Sequence, residues 1–200
     1  ELANFNPDIL KKEFGVVGVD LFFHANGIDE SNVHKPYKPK SNGLGNSQVL
    51  PRDYIRQTDM ELVLREMAEQ VAIRLRRAHK KTTRVSIGVG YSASEGKRPI
   101  NAQMKIEPTN LTKELANYVI GLFRKKYSEG AVRTISVYYS GFVDESYGLI
   151  SLFDDVEKIE KEERLQSAID TIRNQFGFTL IQKGSSLLEP SRSVERSKLI

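Results

Sequence analysis

Cysteine and tryptophan are absent from this sequence, and histidine occurs only three times. Without cysteine there is no disulfide framework, and three scattered histidines supply too few ligands for a structural zinc site. No apolar run approaches the roughly 20 residues of a membrane-spanning helix, and the N-terminus ELANFNPDIL lacks the charged-then-apolar pattern of a signal peptide. We therefore expect a soluble cytoplasmic protein that has no metal, no cofactor of its own and no membrane contact.

Positive charge is concentrated in the middle of the chain, although the formal net charge is only +4. Between residues 71 and 105 the only acidic residue is Glu95, whereas Lys and Arg recur throughout. The basic residues of this stretch are Arg74, Arg76, Arg77, Lys80, Lys81, Arg84, Lys97, Arg98 and Lys105. Such a stretch predicts a surface for a polyanion. An ordinary solvated surface of mixed charge is the alternative.

The first part of the chain reads as a helical hairpin followed by a linker. Glycines at 15, 18 and 27 break and stop two short predicted helices, at residues 8–14 and 19–26. Residues 28–46 are rich in Pro, Lys, Ser, Asn and Gly, which is the composition of a semi-extended linker. We therefore predict three parts: residues 1–45, residues 46–145 and residues 146–200.

The middle part alternates between the periods of strands and helices. Met60, Val63, Met67, Val71 and Leu75 recur at helical spacing, whereas the residues around position 87 alternate with a period of two. The predicted order is strand 47–54, helix 59–80, strand 82–92, a strand around 104–106, a helix from about 108 to 127, and strand 132–140. This β-α-β-β-α-β order predicts an α+β fold, a four-stranded antiparallel sheet with two helices on one face. A C-terminal helix at 156–176 and a possible strand at 178–183 follow.

The other face of the predicted sheet is left open. Strand alternation places small or polar residues there: Arg84, Ser86, Gly88, Gly90, Gln103, Lys105, Thr134, Ser136 and Tyr138. Glycine in a strand lowers stability and often marks a close approach of backbone to a ligand. This pattern favours phosphate contact, with a simple solvated sheet face as the alternative.

Four short motifs occur in a specific order: LKKEFG at 10–15, HANGID at 24–29, KSNGLGNS at 40–47 and VSIGVGY at 85–91. PTN at 108–110 and VRTISV at 132–137 follow them. In this order they resemble the end of the thumb and the little finger domain of Y-family, lesion-bypass DNA polymerases. The branch resembled is UmuC-like, also called ImpB/MucB/SamB.

This resemblance implies a part of an error-prone translesion polymerase that acts in DNA repair and the SOS response and grips primer-template DNA without sequence preference. The DNA-binding residues that it implies are Lys38, Lys40, Ser41, Gly43, Asn46, Arg84, Ser86, Gly88, Gln103, Lys105, Arg133, Thr134 and Ser136. The sequence departs from the family pattern at Asn42-Gly43, where Lys-Ser is often repeated, and at Thr134, where a cation can follow Arg133.

Catalysis in this family requires palm carboxylates that hold Mg²⁺ ions, and no such set occurs here. Ile28-Asp29-Glu30 imitates the palm motif, but it follows a helix end and precedes the linker. We therefore predict a turn there and no catalytic residue in this chain, with Mg²⁺ expected only in the palm of a longer protein.

A last motif, LISLF at 149–153, resembles the sliding-clamp-binding peptide of bacterial polymerases. Leu149, Ile150, Leu152 and Phe153 would contact the clamp, although Leu149 stands where the family usually has Gln. Simple packing of these side chains is the alternative. A protein-interaction module that recruits a clamp or another replication protein is the rival function. RNA binding is disfavoured because Tyr138 is nearly the only aromatic on the open face. We expect a monomer.

Overall fold

A computed structural model describes residues 1–29, 31–32, 34, 42–147 and 156–198, without the side chain of Lys158. The chain forms two compact units, Glu1–Lys40 and Ser41–Ile200. The first strand of the second unit begins at Gly43, inside the stretch predicted as linker.

The first unit is the predicted helical hairpin. Helix α1 (Pro7–Phe14) starts at a capping Asn6, whose side-chain oxygen accepts the Asp8 N–H at 2.8 Å. Gly15 separates it from α2 (Val16–Ala25) with a φ of 63°, a conformation that glycine adopts without strain. Gly18 was expected to interrupt the two helices, but it lies within α2, which begins at Val16 and not at residue 19. An added Cβ at Gly18 would overlap the Leu10 backbone carbonyl, so a glycine allows the two helices to pack closely.

The second unit confirms the predicted α+β fold. Its elements are β1 (Gly43–Tyr54), α3 (Gln57–Arg77), β2 (Lys80–Tyr91), β3 (Ile100–Thr109), α4 (Thr112–Lys126) and β4 (Val132–Asp144). All strand pairs are antiparallel, in the order β1-β4-β2-β3. Strand β4 thus separates β1 from β2, which are joined through α3, as a split βαβ unit requires.

The core lies between the sheet and α3 and α4. The apolar residues that recur at helical spacing form one stripe on α3, and all of them are fully buried: Met60, Val63, Met67, Val71 and Leu75. It packs with the inward residues of the strands, which include Val85, Ile87, Ile135 and Val137. Tyr139 also lies in this core and donates its hydroxyl to the Ala68 carbonyl at 3.1 Å, and burial raises the pKa of this phenol.

The C-terminal region differs from the prediction. Helix α5 (Val156–Phe176) is present as expected, but the possible strand at 178–183 is wrong, since a 3₁₀ turn occupies Phe178–Leu180. A short helix α6 (Ser193–Ser197) ends the described part. Arg192 and Arg196 of this segment are not solvated, since their side chains are only 13% and 6% exposed.

Helix α5 packs on the sheet domain through polar groups. Asp170 of α5 accepts two hydrogen bonds from the Arg76 guanidinium, at 2.6 and 3.1 Å. Arg173 donates to Glu69 at 2.8 Å, and Lys183 donates to the same carboxylate at 2.8 Å. Burial alone would raise the pKa of Glu69, but these two cations lower it below its ordinary value. Among the described helices, none combines the length and apolar character needed to cross a membrane.

Candidate nucleic-acid interface

The strand register aligns the residues of the open face in rows across the sheet. One row joins Gly45, Tyr138, Ser86 and Gln103, from β1 through β4 and β2 to β3. The next row joins Ser47, Ser136, Gly88 and Asn101. Both helices that cover the core lie on the opposite face, so these rows form an accessible surface of small and polar groups.

Two cations stand side by side at one end of this face. Arg84 on β2 and Lys105 on β3 are register partners, and Lys105 is exposed. Within the described part of the chain, the ion pairs involve other cations, such as Arg76, Lys80 and Arg124. An anion held here would contact two positive charges from adjacent strands.

Gly88 lies in the middle of the face, next to the Ser136 hydroxyl. An added Cβ would overlap this hydroxyl and would lie 3.4 Å from Asn101 Oδ1. The absence of a side chain at Gly88 therefore makes room for the Ser136 hydroxyl, and the three residues line one shallow groove. Phosphate contact at Gly88, which the glycines of β2 favoured, stays a prediction.

Tyr138 is a candidate contact that is missing from the predicted DNA-binding set. Its side chain is 45% exposed on the open face, and its ring lies over Gly43 and Gly45 of β1. An added Cβ at either glycine would overlap the ring. The alternation of the two glycines was the available signal, but it could be interpreted only once β1 was known to extend to Gly43 and to pair with β4.

The structure brings seven of the predicted DNA-binding residues together on the open face: Arg84, Ser86, Gly88, Gln103, Lys105, Thr134 and Ser136. Gly43 lies on the same face, beneath the Tyr138 ring. Asn46 does not join them, since its amide donates to Gln70 on α3 at 3.0 Å, on the helix side of the sheet. Arg133 lies 3.7 Å from the Asp53 carboxylate. Lys38, Lys40 and Ser41 are outside the described residues.

The basic stretch at 71–105 does not form one surface. Arg74 is half-buried and donates to the Gly45 carbonyl at 2.6 Å, and burial lowers the pKa of its guanidinium. Arg76 and Arg77 bond to Asp170 and Asn174 of α5. The three arginines at the end of α3 are thus bonded within the chain, one to β1 and two to α5, and not presented on the open face.

The palm-like motif forms a turn as far as it is described. The Asp29 carboxylate accepts the Ser31 N–H at 2.8 Å, and this hydrogen bond lowers the pKa of Asp29. Glu30 is outside the described residues. Among the described residues, no three side chains of His, Asp or Glu gather as a metal site. Leu149, Ile150, Leu152 and Phe153 also lie outside the described part, so clamp binding stays a prediction.

Comparison with known proteins identifies the family of the sheet domain. Residues 41–152 match the C-terminal domain of the impB/mucB/samB family, and the chain belongs to that family. This is the Y-family that the ordered motifs indicated.

Particular relatives extend the match over the whole chain. The putative UV-damage repair protein UvrX of Bacillus subtilis is 34% identical over 200 residues, which cover 100% of this chain and 48% of the relative. DNA polymerase IV 2 of Halalkalibacterium halodurans is 33% identical, and the matched region covers 100% of this chain and 48% of the relative. DNA polymerase IV of Clostridium kluyveri is 31% identical over 96% of this chain. The chain spans about half the length of these curated relatives.

Proposed function

We propose that this chain is the DNA-gripping C-terminal part of a translesion DNA polymerase that acts in DNA repair and the SOS response. The observation that carries the proposal is the open sheet face, where Arg84 and Lys105 lie in register and small or polar residues fill the next two rows. Contacts of this kind reach phosphates rather than base edges, so the grip is independent of sequence.

The relatives support the same reading. They include proteins named DNA polymerase IV and a putative UV-damage repair protein, and the family match covers the whole sheet domain. Nucleotide incorporation would require palm carboxylates that hold Mg²⁺, and the chain's own residues in the described part offer no such set. We therefore assign this chain the binding of duplex and not the chemical step.

Salt-dependent binding to a labelled primer-template tests the proposal. Log affinity should fall linearly with log salt, because each neutralised phosphate releases counterions. Arg84→Glu and Lys105→Glu should each weaken binding to duplex DNA, and for each variant the loss should be the same for duplexes of unrelated sequence. Each change should also reduce the salt slope by about one, the value expected for a lost phosphate contact.

Lys113→Glu supplies the matched control. This lysine is exposed on α4, on the helix side of the sheet, and the same change in net charge there should alter affinity far less. Equal losses for the three variants would indicate a general charge effect and contradict an interface on the open face. Absence of duplex binding together with binding to a bacterial sliding clamp would favour the protein-interaction module instead.

A further inference from the structure

Strand β3 and helix α4 flank a second shallow groove at the edge of the sheet, which we call the α4 groove. Its lining includes Met104, Tyr118, Gly121, Leu122, Lys125 and Lys126. Met104 packs against the hydrophobic core, so the groove lies on the helix side of β3. Gln103 marks its boundary with the open face. The α4 groove is thus distinct from the surface proposed to contact DNA.

One wall of the groove is an edge strand. In the sheet order of the described residues, β3 pairs with β2 and is the last strand on its side. In an antiparallel pair, alternate residues direct their backbone N–H and C=O groups away from the partner strand. The outer edge of β3 therefore presents a row of backbone donors and acceptors with which a further extended chain can pair. Pro108 has no N–H, so this row ends before it.

The floor of the groove is apolar but incompletely covered. Met104 and Tyr118 pack against the hydrophobic core, yet both are only half-buried. Ala102 and Ile106 are also half-buried, and strand alternation places them on the same side of β3 as Met104. An extended chain added beside β3 would direct every second side chain toward this side. Burial of the apolar surface that is still exposed there would favour binding.

Gly121 leaves the middle of the helix wall without a side chain. It is exposed inside α4, and an added Cβ would meet nothing within 4 Å. Glycine weakens a helix interior relative to alanine. Within the described residues, neither a positive φ nor close packing requires a glycine here. Close approach of another chain to α4 would give this glycine a role.

The charge of the groove indicates the chemistry of the chain that fits it. Lys125 and Lys126 are exposed and are the charged residues of its lining within the described part of the chain. We propose that the α4 groove binds an extended segment of a partner protein in which alternating apolar residues are flanked by acidic residues. The backbone of this segment pairs with the outer edge of β3, its apolar side chains pack against Met104, Tyr118 and Gly121, and its carboxylates contact the two lysines. This inference does not depend on DNA binding.

Selection from a displayed library of short random peptides tests the proposal, with the 200-residue chain as the target. We expect the selected peptides to combine alternating apolar residues with flanking Asp or Glu. In fluorescence anisotropy with these peptides, Gly121→Leu should lower affinity by about tenfold, because the new side chain fills the space that the peptide needs. Leucine forms helices better than glycine, so this variant should keep or raise the melting temperature of the chain.

Methylation of alternate backbone nitrogens in a selected peptide tests strand pairing directly. Methylation of the nitrogens that face β3 removes donors and should abolish measurable binding, whereas methylation of the other set should have a smaller effect.

Charge variants separate the α4 groove from other basic surfaces. Lys125→Glu should weaken binding of the selected peptides by about fivefold, the size expected for reversal of one exposed ion pair. Lys113→Glu makes the same change in charge at an exposed position of α4 outside the groove lining, and it should leave affinity within about twofold. Arg84→Glu, on the open face, is the second control and should also leave affinity within about twofold.

Several results would overturn the proposal. Absence of enrichment, or selected peptides without the acidic and apolar pattern, would show that the groove does not recognise such a segment. Equal affinities of Gly121→Leu and the wild type would place peptide binding elsewhere, and a loss confined to Arg84→Glu would place it on the open face. Concentration-dependent dimerisation that Gly121→Leu removes, measured by sedimentation, would assign the groove to a second copy of the chain instead.

Discussion

Glu66 of α3 binds several residues of the C-terminal segment, residues 191–196. Its carboxylate accepts hydrogen bonds from the Ser191 hydroxyl, the Arg192 backbone N–H and the Arg196 guanidinium. The side chains of Glu66 and Arg196 are only 8% and 6% exposed, and Arg196 also donates to Gln48 at 2.6 Å. Burial lowers the pKa of Arg196, although the neighbouring carboxylate of Glu66 opposes this shift. A buried pair of this kind is sensitive to the loss of one member.

Removal of Arg196 alone should therefore destabilise the fold strongly. We expect Arg196→Met to lower the free energy of unfolding by about 3 to 5 kcal/mol, because Glu66 keeps its charge in a buried site with one donor fewer. Urea denaturation measures this change. In the double variant Glu66→Met with Arg196→Met, much of the loss should be recovered, since no unpaired charge remains.

The exposed pair Arg52 and Glu189 provides the comparison. Its side chains are 49% and 65% exposed, so Arg52→Ala should cost less than about 1 kcal/mol. A cost for Arg196→Met as small as that for Arg52→Ala would show that the C-terminal segment contributes little to the stability of the sheet domain.

Among the elements, β1 shows how pairing overrides local composition. Glycines and a linker-like sequence predicted a strand only from residue 47, yet β1 begins at Gly43. The register pairs Gly43 with Ser140 and Gly45 with Tyr138 on β4. The Tyr138 ring covers both glycines, so the strand gains a contact that the glycines cannot supply themselves.

Helix α5 differs from α3, although both contain 21 residues. Its buried residues, with Lys158 left aside, are Gln166 and Arg173, whereas Leu165 and Phe176 are 53% and 67% exposed. Helix α3 buries a full apolar stripe instead. The attachment of α5 therefore depends on polar contacts, which contribute less than apolar burial.

Native-state hydrogen exchange should resolve this difference. We expect the amides of α5 to open with a free energy several kcal/mol below that of α3, because few apolar contacts must be broken. Helix α3 is the matched control for length. If the amides of both helices open with the same free energy, α5 does not unfold separately from α3, and the two helices belong to one cooperative unit.

At the scale of the whole molecule, charge is sorted between the two faces of the second unit. The face opposite the helices keeps Arg84 and Lys105 outside the ion pairs of the described residues, whereas Arg76 and Arg173 pair with carboxylates on the helix side. A net charge of +4 therefore does not describe how the cations are distributed between the two faces.

The purified chain should bind primer-template without extending it. With Mg²⁺ and all four deoxynucleoside triphosphates, we expect no template-dependent incorporation, because the required palm carboxylates are missing from the described residues. A primer-extension gel measures this outcome, and an active DNA polymerase serves as the positive control. Extension by the chain that is abolished by Asp29→Asn would contradict the turn assigned to that residue.

Patterns within single elements were enough to predict the fold class, the apolar stripe of α3 and seven residues of the open face. Periodicity depends on neighbours along the chain, so these features are encoded locally. Tertiary structure decided the use of the arginines of α3, the burial of Arg196, the side of the sheet occupied by Asn46 and the support of Tyr138 by Gly45. Each of these depends on a partner more than 20 residues away, such as Asp170 for Arg76 or Glu66 for Arg196. A charged side chain has the same local pattern whether it meets water, phosphate or a distant carboxylate, so only the folded chain determines its role.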